Sequence, residues 1–75
     1  MILNYEVVRV EVIINGDTFH FEQELSIVAI LKELEIDENR VVVEHNQQLI
    51  QQAQFHNQMV KSSDRLELLE FVGGG

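Results

Sequence analysis

The last three residues, Gly73, Gly74 and Gly75, follow Val72 directly and have no side chains to give a core. A glycine run loses the most conformational entropy on ordering, so this tail is expected to be mobile in isolation. Fully extended, it reaches about 10 Å. With no Cβ atoms it can thread a narrow channel and carry a terminal carboxylate into another protein's active site. That carboxylate is inert as it stands, being anionic and having a poor leaving group. Adenylation by a nucleotide-dependent partner would give an acyl-adenylate, and attack by a sulfur nucleophile would leave a thiocarboxylate. A terminal glycine run can equally be a linker remnant. Its junction with the end of an apolar segment favours a positioned tether.

The other chemically able residues are less suggestive. His20, His45 and His56 are the only histidines; none has HExxH-type spacing, and no cysteine is present to complete a zinc site. All three are expected at the surface, His20 on the solvent face of a hairpin. Asp64 falls in a turn, where an aspartate bonds local backbone more readily than it does acid-base work. Glu67 and Glu70 read as solvated or partner-facing charges rather than a catalytic pair. Ser62 and Ser63 have no identifiable base. With no P-loop and no GxGxxG, any nucleotide chemistry belongs to a partner. The sequence therefore predicts no catalytic residue, no metal site and no enzyme.

Composition narrows the class. Seventy-five residues make one domain with a modest core. The absence of cysteine excludes a disulfide framework and fits a reducing, cytoplasmic setting. Met1–Tyr5 does not read as a signal peptide, and no apolar run approaches the roughly 20 residues that span a bilayer. Five Lys/Arg against thirteen Asp/Glu give a net charge of -8. That balance disfavours nucleic acid and anionic membrane, and favours a partner with a basic docking surface. Solubility alone would also account for it.

Several elements must position the tail. Val8–Ile14 alternates, and Asn15-Gly16 supplies the left-handed conformations of a two-residue hairpin turn. That turn sets Ile14 against Asp17, Val12 against Phe19 and Val10 against Phe21, placing aromatics and valines on one face and Arg9 opposite Glu22 on the other. Ser26 suits a helix N-cap, with Leu25 and Ile30 placed as a hydrophobic staple. Ile27, Ile30, Leu31 and Leu34 form a helical stripe, predicting a helix from about Ile27 to Glu35 that packs on the sheet. Asp37-Glu38-Asn39 is a polar connection. Val41-Val42-Val43 reads as a strand covered on both faces or exposing some apolar surface. Asn46-Gln47 is a turn, Gln48–Ile50 a short strand, and Gln51–Gln58 a loop with one helical turn. Ser62-Ser63-Asp64 turns into a last strand, Arg65–Val72. Leu66 and Leu68 lie on one face of it, Leu69 and Phe71 on the other.

Two hairpin strands, one packed helix and a returning last strand, most apolar and so central beside the first, make an α+β domain. The arrangement is the β-grasp, or ubiquitin-like, architecture: a mixed sheet packed on one main helix, with residues 1–72 as the domain and 73–75 as a flexible tail. One helix covers only one face of a small sheet, so Leu69 and Phe71 are candidates for an exposed docking patch.

These residues together resemble the ThiS family of sulfur carriers. The resemblance rests on Val12-Ile13-Ile14-Asn15-Gly16, on Leu25-Ser26-Ile27 leading into Leu31-Lys32-Glu33-Leu34, and on Val41-Val42-Val43-Glu44-His45-Asn46. Its most specific stretch is Asp64-Arg65-Leu66-Glu67-Leu68-Leu69-Glu70-Phe71-Val72-Gly73-Gly74-Gly75. The resemblance implies a β-grasp fold and a terminal glycine, Gly75, that a ThiF-like adenylyltransferase activates with ATP and magnesium. Sulfur, often supplied through a cysteine desulfurase, would make the thiocarboxylate. A ThiG-like thiazole synthase would use it to form the thiazole of thiamine. The domain itself would bind no cofactor. Gly73 and Gly74 would form the thin neck, with Val72 and Phe71 leading it into the partner. Met1–Val7 is longer than the usual start of such proteins, and Gln47–Gln58 lacks a charged residue often found there. The alternatives are a MoaD-like carrier of molybdopterin synthesis, a protein-conjugating modifier, and a ubiquitin-like interaction module with an inert tail.

Overall fold

The computed structural model of the chain describes residues 9–72. Strands β1 (Val10–Ile14) and β2 (Asp17–Phe21) form the hairpin. Asn15 at φ 50° and Gly16 at φ 86° make its turn, both in the left-handed region that matches strand twist. The register is the one the turn dictates: Ile14 faces Asp17, Val12 faces Phe19 and Val10 faces Phe21. Val10, Val12 and Ile14 are buried, with Phe19 and Phe21 packed against the core beside them.

A two-residue strand, β3 (Leu25–Ser26), leads into α1 (Ile27–Glu33), the one α-helix among the described residues. The Ser26 hydroxyl accepts from the Ala29 N–H at 3.2 Å, as an N-cap does. Ile27, Ile30 and Leu31 are buried along the predicted stripe, with Leu34 half-buried. The helix stops two residues short of the predicted Glu35. Leu34 is its C-cap, and Glu35 turns left-handed at φ 59°. The Glu35 N–H donates to the Lys32 carbonyl and the Ile36 N–H to the Leu31 carbonyl, the two bonds of a Schellman ending. Glycine commonly marks this position; a glutamate here left no signal to read.

A 3-10 turn over Glu38–Arg40, capped by Asp37, delivers the chain to β4 (Val41–His45). Asn46 and Gln47, both at positive φ, turn it back into β5 (Gln48–Ile50). A second 3-10 turn, Gln52–Gln54, precedes β6 (Met59–Val60), which pairs with β3 in a separate two-stranded ladder. The last strand, β7 (Arg65–Glu70), ends two residues before the predicted Val72. Phe71 keeps one sheet-like bond, its N–H donating to the Arg40 carbonyl at 2.8 Å.

The main sheet has the order β2-β1-β7-β4-β5. The last strand is therefore central, parallel to β1 and antiparallel to β4. Val12, Val43, Leu66 and the helix residues Ile27, Ile30 and Leu31 meet in one core with Phe55 and Val60. The hairpin pairing is described as far as Val10 and Phe21, so the expected Arg9–Glu22 pair is not among its partners. Residues 1–8 and the tail 73–75 lie outside the described residues.

Candidate functional site at the end of the central strand

Alternation along β7 sorts its side chains. Leu66 is fully buried and Leu68 packs against the core, while Leu69 on the opposite face is 63% exposed. Beyond the strand Phe71 is 55% and Val72 96% exposed. The chain thus leaves the sheet through an exposed apolar neck. The three glycines named as the tail and its reactive terminus, Gly73, Gly74 and Gly75, follow that neck and lie outside the described residues.

The neck is held from the hairpin side. Asn15 Oδ1 accepts from the Leu68 N–H at 2.7 Å, and Asn15 Nδ2 donates to the Leu68 carbonyl at 3.1 Å. The β1–β7 ladder pairs Ile13 with Arg65 and Ile14 with Leu66, so the amide side chain continues the strand pairing past the end of β1. Asn15 reads in the sequence only as a turn residue. Its second role depends on which strand lies beside the turn, and local patterning does not carry that information.

The helix covers one face of the sheet. On the other, Val42 lies opposite Leu69, Glu44 opposite both Glu67 and Leu49, and Ile13 opposite Arg65. Leu49 is 62% exposed. Asn15, Val42, Glu44, Glu67 and Leu69 line a shallow concavity on this open face.

A second polar cluster lies at the other end of β7, and it corrects one expectation. His45 is not at the surface: it is buried, 7% exposed, at the core-side end of β4. Its Nε2 donates to Asp64 Oδ2 at 2.7 Å, and its Nδ1 accepts from Gln58 Nε2 at 2.9 Å. An ionised carboxylate only accepts, which assigns the proton to Nε2. The sequence missed it because Val41, Val43 and His45 share the inward parity, yet the histidine lies just past the apolar run. Asp64 also accepts from the Lys61 N–H at 2.8 Å and from Asn46 Nδ2 at 3.1 Å. Burial pushes the Asp64 carboxyl up, but the bonds from Lys61, His45 and Asn46, with the attraction of His45, outweigh it and hold the pKa below the ordinary value. The cluster is a closed brace: among the described residues no buried side-chain polar atom lacks a partner.

The remaining candidates are structural or solvated. His20 and His56 are exposed, as are Glu67 and Glu70. The Ser62 hydroxyl accepts from the Glu11 N–H, and Ser63 takes the left-handed turn position at φ 75°. Among the described residues no group of three or more His, Asp or Glu side chains is arranged to hold a metal. No described helix is long and apolar enough to cross a membrane.

A five-stranded mixed sheet wrapped on one helix, with a parallel central last strand that runs out into an exposed apolar neck, defines the class: a ubiquitin-like β-grasp domain. The chain belongs to the ThiS family, whose model matches residues 7–75, and this bears out the resemblance to those sulfur carriers. The crystal structure of the thiamine biosynthesis protein ThiS from Geobacter metallireducens superposes with a TM-score of 0.75 at 28% identity, covering 88% of this chain and 100% of that one. A solution structure of a thiamine biosynthesis protein from the same organism gives 0.73 at 29% identity, with 88% of each chain covered. Among curated proteins, a thiazole synthase of Paramagnetospirillum magneticum is 32% identical over 65 residues, 87% of this chain. The chain spans only 20% of that relative's length. The uncharacterized protein ycf40 of Porphyra purpurea is 30% identical over 67 residues, covering 89% of this chain and 94% of its own.

Proposed function

We propose that this domain carries sulfur on its C-terminal glycine for thiazole formation in thiamine biosynthesis. The observation that carries the reading is that the ThiS family match runs through residue 75 and so includes the glycine tail. The exposed Leu69, Phe71 and Val72 at its base supply a docking surface beside the tail. The domain is a handle and not a catalyst; the chemistry is done by partners.

A carboxylate oxygen of Gly75 attacks the α-phosphate of ATP, held with magnesium by a ThiF-like adenylyltransferase, and pyrophosphate leaves. A persulfide, supplied through a cysteine desulfurase, then attacks the acyl carbon through its outer sulfur and displaces AMP; a thiol attacks the inner sulfur of the resulting acyl disulfide, leaving the thiocarboxylate on Gly75 and a disulfide between the two thiol sulfurs. A ThiG-like thiazole synthase takes that sulfur. Gly73 and Gly74 thread the partner's channel because they have no Cβ to clash with its walls. All of this belongs in the cytoplasm, where ATP is available. The likeness to a thiazole synthase favours the thiamine pathway over molybdopterin synthesis.

The test is intact-mass measurement after incubation with ATP, magnesium, a ThiF-like enzyme and a sulfur source. The expected product has one oxygen replaced by sulfur, and the change disappears when Gly75 is deleted. Absence of both adenylate and thiocarboxylate with the cognate activating enzyme overturns the carrier reading.

A further inference from the structure

We propose that Asn15 is a positioning residue for the transfer chemistry: by clamping both backbone groups of Leu68 it fixes where the neck begins, and so where the terminal carboxyl is delivered. The inference rests on the carrier reading and specifies which part of the domain aims the tail.

Residues of β7 offer their backbone groups alternately to β1 and to β4. On the β1 side the Asp64 carbonyl accepts from the Ile13 N–H at 3.0 Å, and the Leu66 carbonyl from the Asn15 N–H at 2.9 Å. Leu68 is the next residue to face that side, and there the hairpin has already turned away. Strand β1 ends at Ile14, and Asn15 and Gly16 form the turn. The Asn15 side chain replaces the missing strand residue, accepting from the Leu68 N–H at 2.7 Å and donating to its carbonyl at 3.1 Å. On the β4 side Val41 pairs with Glu70, and the Arg40 carbonyl accepts from the Phe71 N–H at 2.8 Å. The neck is therefore gripped from two sides as far as Leu68, and from one side as far as Phe71.

The turn alone does not require this side chain, because Asp-Gly or Gly-Gly makes the same left-handed turn. A side-chain amide on a short stem adds an acceptor and a donor together, which is what one residue's N–H and carbonyl need. Aspartate would keep the acceptor and lose the donor. Glycine would lose both.

From Val72 to the terminus there are four residues. Extended, they reach about 13 Å. Without the clamp, the end of β7 is held by β4 alone, and a strand end with one open edge frays. Fraying back to Leu68 leaves eight residues unheld, Leu68 to Gly75. The effective concentration of a tethered group falls as about the −3/2 power of tether length, so this doubling costs about threefold.

The experiment measures kcat/KM for adenylation of the full chain by the cognate ThiF-like enzyme, followed by pyrophosphate release. It compares wild type with Asn15→Gly, Asn15→Asp and Ile27→Val. The last trims the buried core in the first turn of α1 and serves as the stability control, with urea midpoints recorded for all four. Asn15→Gly is expected to lose about threefold in kcat/KM. Asn15→Asp should fall between it and wild type, and Ile27→Val should match wild type. Backbone order parameters from nitrogen-15 relaxation should drop over Leu69–Phe71 in Asn15→Gly and stay level in Ile27→Val. Unchanged kcat/KM in Asn15→Gly, an equal fall in Ile27→Val, an Asn15→Asp variant no better than the glycine one, or unmoved order parameters at Leu69–Phe71 each overturns the proposal. A wild-type chain that forms no adenylate overturns the carrier reading instead, and the relaxation data then still decide whether the clamp holds the neck.

Discussion

Asn15 shows how one side chain serves two elements. Its backbone makes the hairpin turn at φ 50°, and its amide group bonds both backbone groups of Leu68. Asn15→Gly separates the roles, since glycine keeps the turn and loses the clamp. That variant is expected to lose about 1–2 kcal/mol in urea unfolding and to speed hydrogen exchange at the Leu68 amide. Asp64 gives a second residue-scale prediction, with its sign set by a lowered folded-state pKa. Its contribution is fully present above the unfolded value of about 3.9 and is lost as pH falls from there through the folded value. Urea midpoints measured between about pH 5 and pH 2 should therefore fall less steeply in Asp64→Asn than in wild type. The sequence shows Asp64 as a turn residue bonding local backbone, and the Lys61 bond agrees. It does not show His45, because a polar residue inside a core is legible only through the partners that satisfy it. Those partners, Gln58 and Asp64, lie 13 and 19 residues away.

At the scale of elements, strongly patterned segments were readable and weakly patterned ones were not. The hairpin register follows from Asn15-Gly16 and alternation, and helix α1 starts where Ser26 predicts. The glutamine-rich stretch 51–58 has no such period, yet it is tightly built in. Its Phe55 is 1% exposed. The Phe55 carbonyl accepts from the Val28 N–H and the Gln58 carbonyl from the Ile27 N–H, both at 3.0 Å. With Ser26 on Ala29, these bonds satisfy amides of the first helical turn that no intrahelical carbonyl reaches. A single aromatic residue in a polar run thus anchors a segment that caps α1. Phe55→Ala is expected to cost about 3–5 kcal/mol in chemical unfolding and to raise exchange at the Ile27 and Val28 amides first.

At the scale of the whole molecule, the β-grasp architecture was legible because few other arrangements satisfy two hairpin strands, one amphipathic helix and an apolar returning strand. The open face was legible for the same reason: one helix leaves one side of the sheet uncovered, and Leu69 falls on that side opposite Val42, with Phe71 exposed just beyond the strand. The opposition of Glu44 and Glu67, 23 residues apart in the chain, was not, because it depends on the register between β4 and β7. Strand β7, which leads into the tail, is also the last of the described strands in chain order and the middle one of the sheet. Its pairing with β1 joins residues 52 positions apart, Ile13 with Arg65 and Ile14 with Leu66. Contacts that distant close large loops and form late in folding. Until β7 inserts, the core lacks Leu66, and β1 and β4 have no strand between them. A nascent or damaged chain therefore has no correctly seated neck while the domain beneath it is unfinished. Under the proposed carrier function, placing the tail on the central strand makes completed folding the condition for presenting it.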